Sequence, residues 1–161
     1  LDILNKKYGH LCNPQDFLSR ASELFHKLEF EEGIALMPYA KECLEYLKPK
    51  YRIALASSTR NELVIRQLKN AKVLDYFEVI VTGDMVLHSK PDPEIYLKAC
   101  EELNIPPENC IAIEDSPNGL KSAFFAGLNT IMVPDKIQPN EELNQFIWKK
   151  CDSLKNVMDM L

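Results

Sequence analysis

From Tyr51 onward the sequence alternates short apolar runs with longer stretches of helical spacing, and nothing else in it restricts the fold as much. The first run is Tyr51-Arg52-Ile53-Ala54-Leu55-Ala56, which stops at Ser57-Ser58-Thr59. A helical pattern follows over about 61–71. The second run is Phe77-Glu78-Val79-Ile80-Val81-Thr82, with helical spacing again from Asp92 to Leu103. Cys110-Ile111-Ala112-Ile113 precedes a helix over 117–126, and Asn129-Thr130-Ile131-Met132-Val133 follows it. Short apolar strands alternating with helices of about ten residues predict βαβ units. Such units build an α/β fold, a Rossmann-like parallel sheet with helices on both faces. The tail from Asn140 reads as a helix, a connection near Cys151-Asp152 and a final helix.

The first 37 residues do not fit this alternation. They read as helix throughout, with Asn13 as an N-cap ahead of Pro14 and with Phe17, Leu18, Ala21, Leu24, Phe25 and Leu28 at helical spacing. A further helix from Tyr39 to Leu47 places Ala40, Cys43, Leu44 and Leu47 on one face, opened by Pro38 and closed by Pro49. The expected organisation is therefore a helical element over residues 1–37 and an α/β core over residues 38–161. Its 161 residues, 46% of them hydrophobic and 27% charged, are enough to bury one core. The net charge is −5 with no basic run, which argues against a nucleic-acid partner. No apolar run approaches membrane-spanning length, so no membrane partner is expected. Cys12, Cys43, Cys100, Cys110 and Cys151 are odd in number and scattered in spacing. They read as free thiols of a cytoplasmic protein, not as a disulfide framework or zinc site.

In open α/β sheets ligands bind beyond the carboxyl ends of the strands. After the first strand come Ser57, Ser58 and Thr59. After the second comes Thr82-Gly83-Asp84, leading to Lys90-Pro91-Asp92-Pro93, and after the third Glu114-Asp115-Ser116-Pro117-Asn118-Gly119. Each has a bland reading: a strand-end Ser as a helix cap, a Lys before Pro as a solvated loop residue, an acidic pair as a helix entrance. Arg60 reads the same way, as a solvated first-turn residue. Placed together after successive strands, they suit a phosphate and a cation. Ser57 and the Ser58 amide bind phosphate oxygens, Lys90 neutralises their charge, and the hard oxygens of Asp115 and Glu114 hold Mg²⁺.

The stretch Ile53 to Asp135 resembles the core of the haloacid dehalogenase-like hydrolases, in the branch of β-phosphoglucomutase and sugar-phosphate phosphatases. Leu55-Ala56-Ser57-Ser58-Thr59 is similar to that family's second motif and Ser89-Lys90-Pro91-Asp92-Pro93 to its third. Ile111 to Gly119 is similar to the fourth, and Ala123-Phe124-Phe125-Ala126-Gly127 before the last strand is also in keeping. The resemblance implies catalysis through an aspartyl-phosphate, with Ser57 and Lys90 at the phosphate, Asp115 on the metal directly, and Glu114 directly or through a water. The substrate class it implies is a small phosphorylated metabolite.

The family's first motif is an Asp-x-Asp whose first Asp is phosphorylated, and no Asp-x-Asp occurs in the sequence. In this branch a helical cap follows that motif, and residues 1–37 resemble the end of such a cap. The chain is thus expected to lack the first core strand and the nucleophile, and to be inactive alone. A phosphatase, a β-phosphoglucomutase-type phosphomutase and a non-catalytic phosphate-binding domain all remain open at this point. A metal-free dehalogenase fits less well, because the 114–115 acidic pair favours a cation.

Overall fold

The computed structural model describes residues 2–161, apart from the side chains of Glu31 and Glu32. The chain divides into two compact units, the described residues up to Ala35 and the segment Leu36–Leu161.

The first unit holds helices α1 (Asp2–Tyr8) and α2 (Pro14–Glu32). It is helical, but not throughout. Residues 9–13 form a turn, where the Asn13 side chain accepts from the amides of Gln15 (2.9 Å) and Asp16 (3.4 Å). That satisfies donors a helix start otherwise leaves unpaired. At the other end Gly33 takes φ +74°, a conformation that costs little only without a Cβ, and α2 stops there. The Asn13 cap and Pro14 mark the first of these breaks in the sequence, whereas the helical spacing of the apolar residues did not register the second. Phe17, Leu24, Phe25 and Phe30 of α2 are exposed.

The second unit carries α3 (Ala40–Leu47), β1 (Ala54–Ser57), α4 (Asn61–Asn70), β2 (Val79–Thr82) and α5 (Glu94–Leu103). It continues with β3 (Ile111–Glu114), α6 (Pro117–Phe125), β4 (Asn129–Met132), α7 (Glu141–Asn144), β5 (Lys149–Lys150) and α8 (Leu154–Met160). All the strand pairs are parallel, as the βα alternation predicts. The pairing nevertheless falls into two sheets, β1-β2 and β3-β4-β5, instead of one. Ala54 faces Val79 in the first, and Ile111 faces Asn129 in the second. Among the described residues no strand joins β1 to β3. Strand β5, which the sequence pattern does not mark, is only Lys149 and Lys150, opposite Ile131 and Met132, just before the connection near Cys151-Asp152.

Side chains alternate across these strands and bury both faces. Ala54, Ala56, Val81 and Ala112 pack with Ile95, Ala99 and Cys100 of α5 and Ala123 of α6. Ile53, Ile113 and Ile131 turn the other way, against Cys43 and Leu47 of α3 and Val157 of α8. These two clusters draw on both sheets, which sets the carboxyl ends of β1 and β3 beside each other. No described helix is long and apolar enough to cross a membrane.

All five cysteines are free thiols. Burial raises Cys43 and Cys151, and burial together with a hydrogen bond donated to neighbouring Cys110 pushes Cys100 up to about 12. A thiol reagent should therefore modify exposed Cys12 first in the native protein and leave Cys43, Cys100 and Cys151 until unfolding. In denaturant without reductant all five should titrate. Fewer than five, or rapid native labelling of the buried three, would contradict this packing.

Candidate phosphate and cation site

Lys90 ties the strand ends together. Its ammonium donates to the carbonyl of Ala56 at 3.1 Å and to Glu114 Oε1 at 2.6 Å. Ala56 immediately precedes Ser57 and Glu114 immediately precedes Asp115, so the three sequence segments meet at one cation. The lysine and glutamate side chains are 11% and 8% exposed, which makes this a largely buried ion pair.

The turn that carries Lys90 is clasped from α5. Glu94 accepts from the backbone amides of Leu87 and His88, both at 2.8 Å, and from His88 Nδ1 at 2.9 Å. The two amides hold its carboxyl below the ordinary value. Asp92 Oδ1 accepts from the Glu94 amide, and the Ser122 hydroxyl of α6 donates to the Asp92 carbonyl at 2.6 Å. His88, Asp92 and Glu94 have ligand atoms within 4.8 Å of one another. Glu94 is already occupied by three donors, so the cluster acts as a clasp on the loop.

The Ser57 loop is set by β2. Ser57 Oγ accepts from the Thr59 amide at 3.2 Å, a turn that leaves its hydroxyl proton free, and Ser58 is exposed. The Gly83 amide donates to the Thr59 carbonyl at 3.0 Å. A Cβ on Gly83 would lie 2.3 Å from the Ser58 carbonyl oxygen, so glycine permits this approach. Asp84 accepts from the Thr82 hydroxyl and the Asn61 amide, and these hold its carboxyl below the ordinary value while capping α4. Arg60, just before α4, is exposed, as its first-turn reading anticipates.

The two acidic residues differ sharply. Glu114 is buried, with Oε1 taken by Lys90 and by the Tyr96 hydroxyl and Oε2 by the Ser116 hydroxyl at 3.1 Å. Asp115 is exposed and has no hydrogen-bond partner among the described residues. Its free, hard carboxylate oxygens one residue past β3 fit a divalent cation such as Mg²⁺. Glu114 already accepts three donors, which leaves one lone-pair site, on Oε2, to face such a cation directly or through a water. Tyr96, the buried hydroxyl in this network, was not singled out from sequence. The available signal was a Tyr on the apolar face of a helix six residues after Lys90, since a buried phenol requires a partner.

With this geometry in view, likeness to known proteins has a physical meaning. A family model described as haloacid dehalogenase-like hydrolase matches residues 3–133. The chain belongs to the haloacid dehalogenase-like hydrolase family. Among curated relatives of this chain, the phosphorylated carbohydrates phosphatase of Thermotoga maritima is 41% identical over 106 residues, covering 65% of this chain and 49% of the relative. Among solved structures, CbbY of Rhodobacter sphaeroides in complex with phosphate has a TM-score of 0.76 at 33% identity, covering 91% of this chain and 67% of that one. The β-phosphoglucomutase of Clostridium difficile has a TM-score of 0.73 at 25% identity, covering 98% and 69%. The chain spans about half the length of the curated relatives it matches first.

Gly119 gives a direct test of the buried pair. Its Cβ would stand 2.0 Å from Glu114 Oε2, so Gly119→Ala must push the carboxylate away from Lys90. The expected result is a loss of about 1–3 kcal/mol in urea unfolding, from a network left partly unsatisfied. A neutral effect would mean that Glu114 does not sit beneath α6 as described.

Proposed function

We propose that these residues form the phosphate-binding and cation-binding part of a Mg²⁺-dependent phosphohydrolase acting on a small phosphorylated metabolite, a sugar phosphate or similar. The observation that carries this reading is the Lys90 ammonium held between Ala56 and Glu114, beside Ser57 and Asp115. Ser57 and the Ser58 amide take the non-bridging phosphate oxygens. Lys90 lends its charge to the same oxygens, and such stabilisation of the phosphoryl group is largely electrostatic and positional. Asp115 is the direct cation ligand, and Glu114 serves first as the counter-ion of Lys90. A bound Mg²⁺ would supply further neutralisation of phosphate charge. The reaction runs through an aspartyl-phosphate on a carboxylate that these 161 residues do not contain.

Residues 1–37 are read as the end of a helical cap, in support of which the described residues up to Ala35 form a separate unit whose regular elements are two helices. A phosphomutase is the second reading, favoured by the likeness to β-phosphoglucomutase. The free cysteines suit the cytoplasm.

Titration with Mg²⁺ and inorganic phosphate, followed by NMR shifts of backbone amides, tests the assignment. Phosphate should move the amides of residues 57–59, and Mg²⁺ should move that of Asp115. Asp115→Asn should weaken Mg²⁺ binding at least about tenfold, since one hard charged ligand is lost. Undiminished Mg²⁺ affinity in that variant would remove Asp115 from the site.

A further inference from the structure

Tyr96 lies on α5 among Ile95, Ala99 and Cys100, 8% exposed, where a phenylalanine would fill the same apolar space. Its hydroxyl leaves that apolar cluster and donates to Glu114 Oε1, the oxygen that also receives Lys90. The hydroxyl is the donor of this pair, since an ionised carboxylate oxygen only accepts. The Lys90 ammonium lies 3.4 Å from the same hydroxyl oxygen and 4.8 Å from the ring centroid.

An ammonium has three protons to place. Two of them reach Ala56 O and Glu114 Oε1 at ordinary hydrogen-bond lengths, whereas the third meets only the long contact to Tyr96 Oη. The third proton is therefore the one an incoming phosphate oxygen can claim without breaking the anchoring bonds. We infer that Tyr96 is a positioning residue for the phosphate-binding lysine: its hydroxyl pins Glu114 Oε1 and parks the third Lys90 proton in a weak contact that phosphate replaces. None of the motif segments contains Tyr96. The inference rests on the reading of Lys90 as phosphate ligand.

Tyr96→Phe keeps the ring and removes only the hydroxyl. In the full chain, lysine-selective NMR of the ammonium groups should show one slowly exchanging resonance that Lys90→Met deletes. Tyr96→Phe should shift that resonance and speed its hydrogen exchange, and should weaken inorganic phosphate binding by about fivefold, the loss expected for one ordinary hydrogen bond. Val157→Ala, a cavity in the separate cluster against α3 and α8, controls for stability alone and should move neither readout. Tyr96→Phe with the ammonium signal and phosphate affinity of the unaltered chain would overturn the inference, as would equal changes in Val157→Ala. If Lys90→Met itself binds phosphate normally, the reading of Lys90 fails instead. Should Tyr96→Phe not fold, the unaltered protein still decides. A slowly exchanging Tyr96 hydroxyl proton with a cross-relaxation peak to the Lys90 ammonium is required, and its absence counts against the inference.

Discussion

Lys90→Met is expected to destabilise the chain by about 3–5 kcal/mol and to abolish its affinity for phosphate. The size follows from burial. Glu114 is the partner of Lys90 at 2.6 Å, and its side chain is 8% exposed. Methionine fills the stem of the lysine but leaves the carboxylate facing Tyr96 and Ser116 with no cation. Removing one member of a buried pair strands the other, which costs far more than the pair contributes over an apolar replacement. The double change Lys90→Met with Glu114→Gln should therefore recover most of the lost stability while phosphate affinity stays absent. Urea denaturation of the three variants separates the two effects, since the midpoint reports stability and a phosphate titration reports the site. A single variant costing under about 1 kcal/mol would place the pair in solvent.

How far the sequence carried can be judged element by element. The runs ending at Ala56, Thr82, Ile113 and Val133 are legible as strands because both faces are buried and the apolar residues are continuous. The positions just beyond them are legible as a site because the parallel arrangement sends every carboxyl end to the same edge. Strand β5 is two lysines, and pairing alone makes it a strand, so no apolar signal marks it. The division into two sheets is equally silent, since local sequence does not record which strand is the neighbour of β1. Asp115 and Glu114 look equivalent in sequence. Only burial, and the closeness of Gly119 to Glu114, separates a counter-ion from an open carboxylate. Tyr96 was hidden by its own periodicity, being indistinguishable from a core aromatic until its hydroxyl is traced to Glu114.

The second large effect concerns turnover. These 161 residues alone are expected to bind phosphate but to release none from sugar phosphates, even with Mg²⁺. Covalent phosphoryl transfer to the protein needs an available nucleophile, and each candidate here is committed elsewhere. Lys90 is paired with Glu114 and Ala56, Glu114 is held by three donors, and Asp115 is assigned to the cation. Ser57 Oγ accepts from the Thr59 amide and has no described base within its motif. Loss of one member of a concerted catalytic set costs orders of magnitude in rate, so electrostatic binding of the phosphoryl group does not substitute for it. The decisive measurement is steady-state phosphate release from several sugar phosphates with Mg²⁺, on the 161-residue chain and on its Lys90→Met variant, alongside phosphate binding by both. The account predicts binding that only the unaltered chain shows and release that does not differ between the two. Mg²⁺-dependent release by the unaltered chain that Lys90→Met eliminates would show that a complete catalytic site lies within these residues.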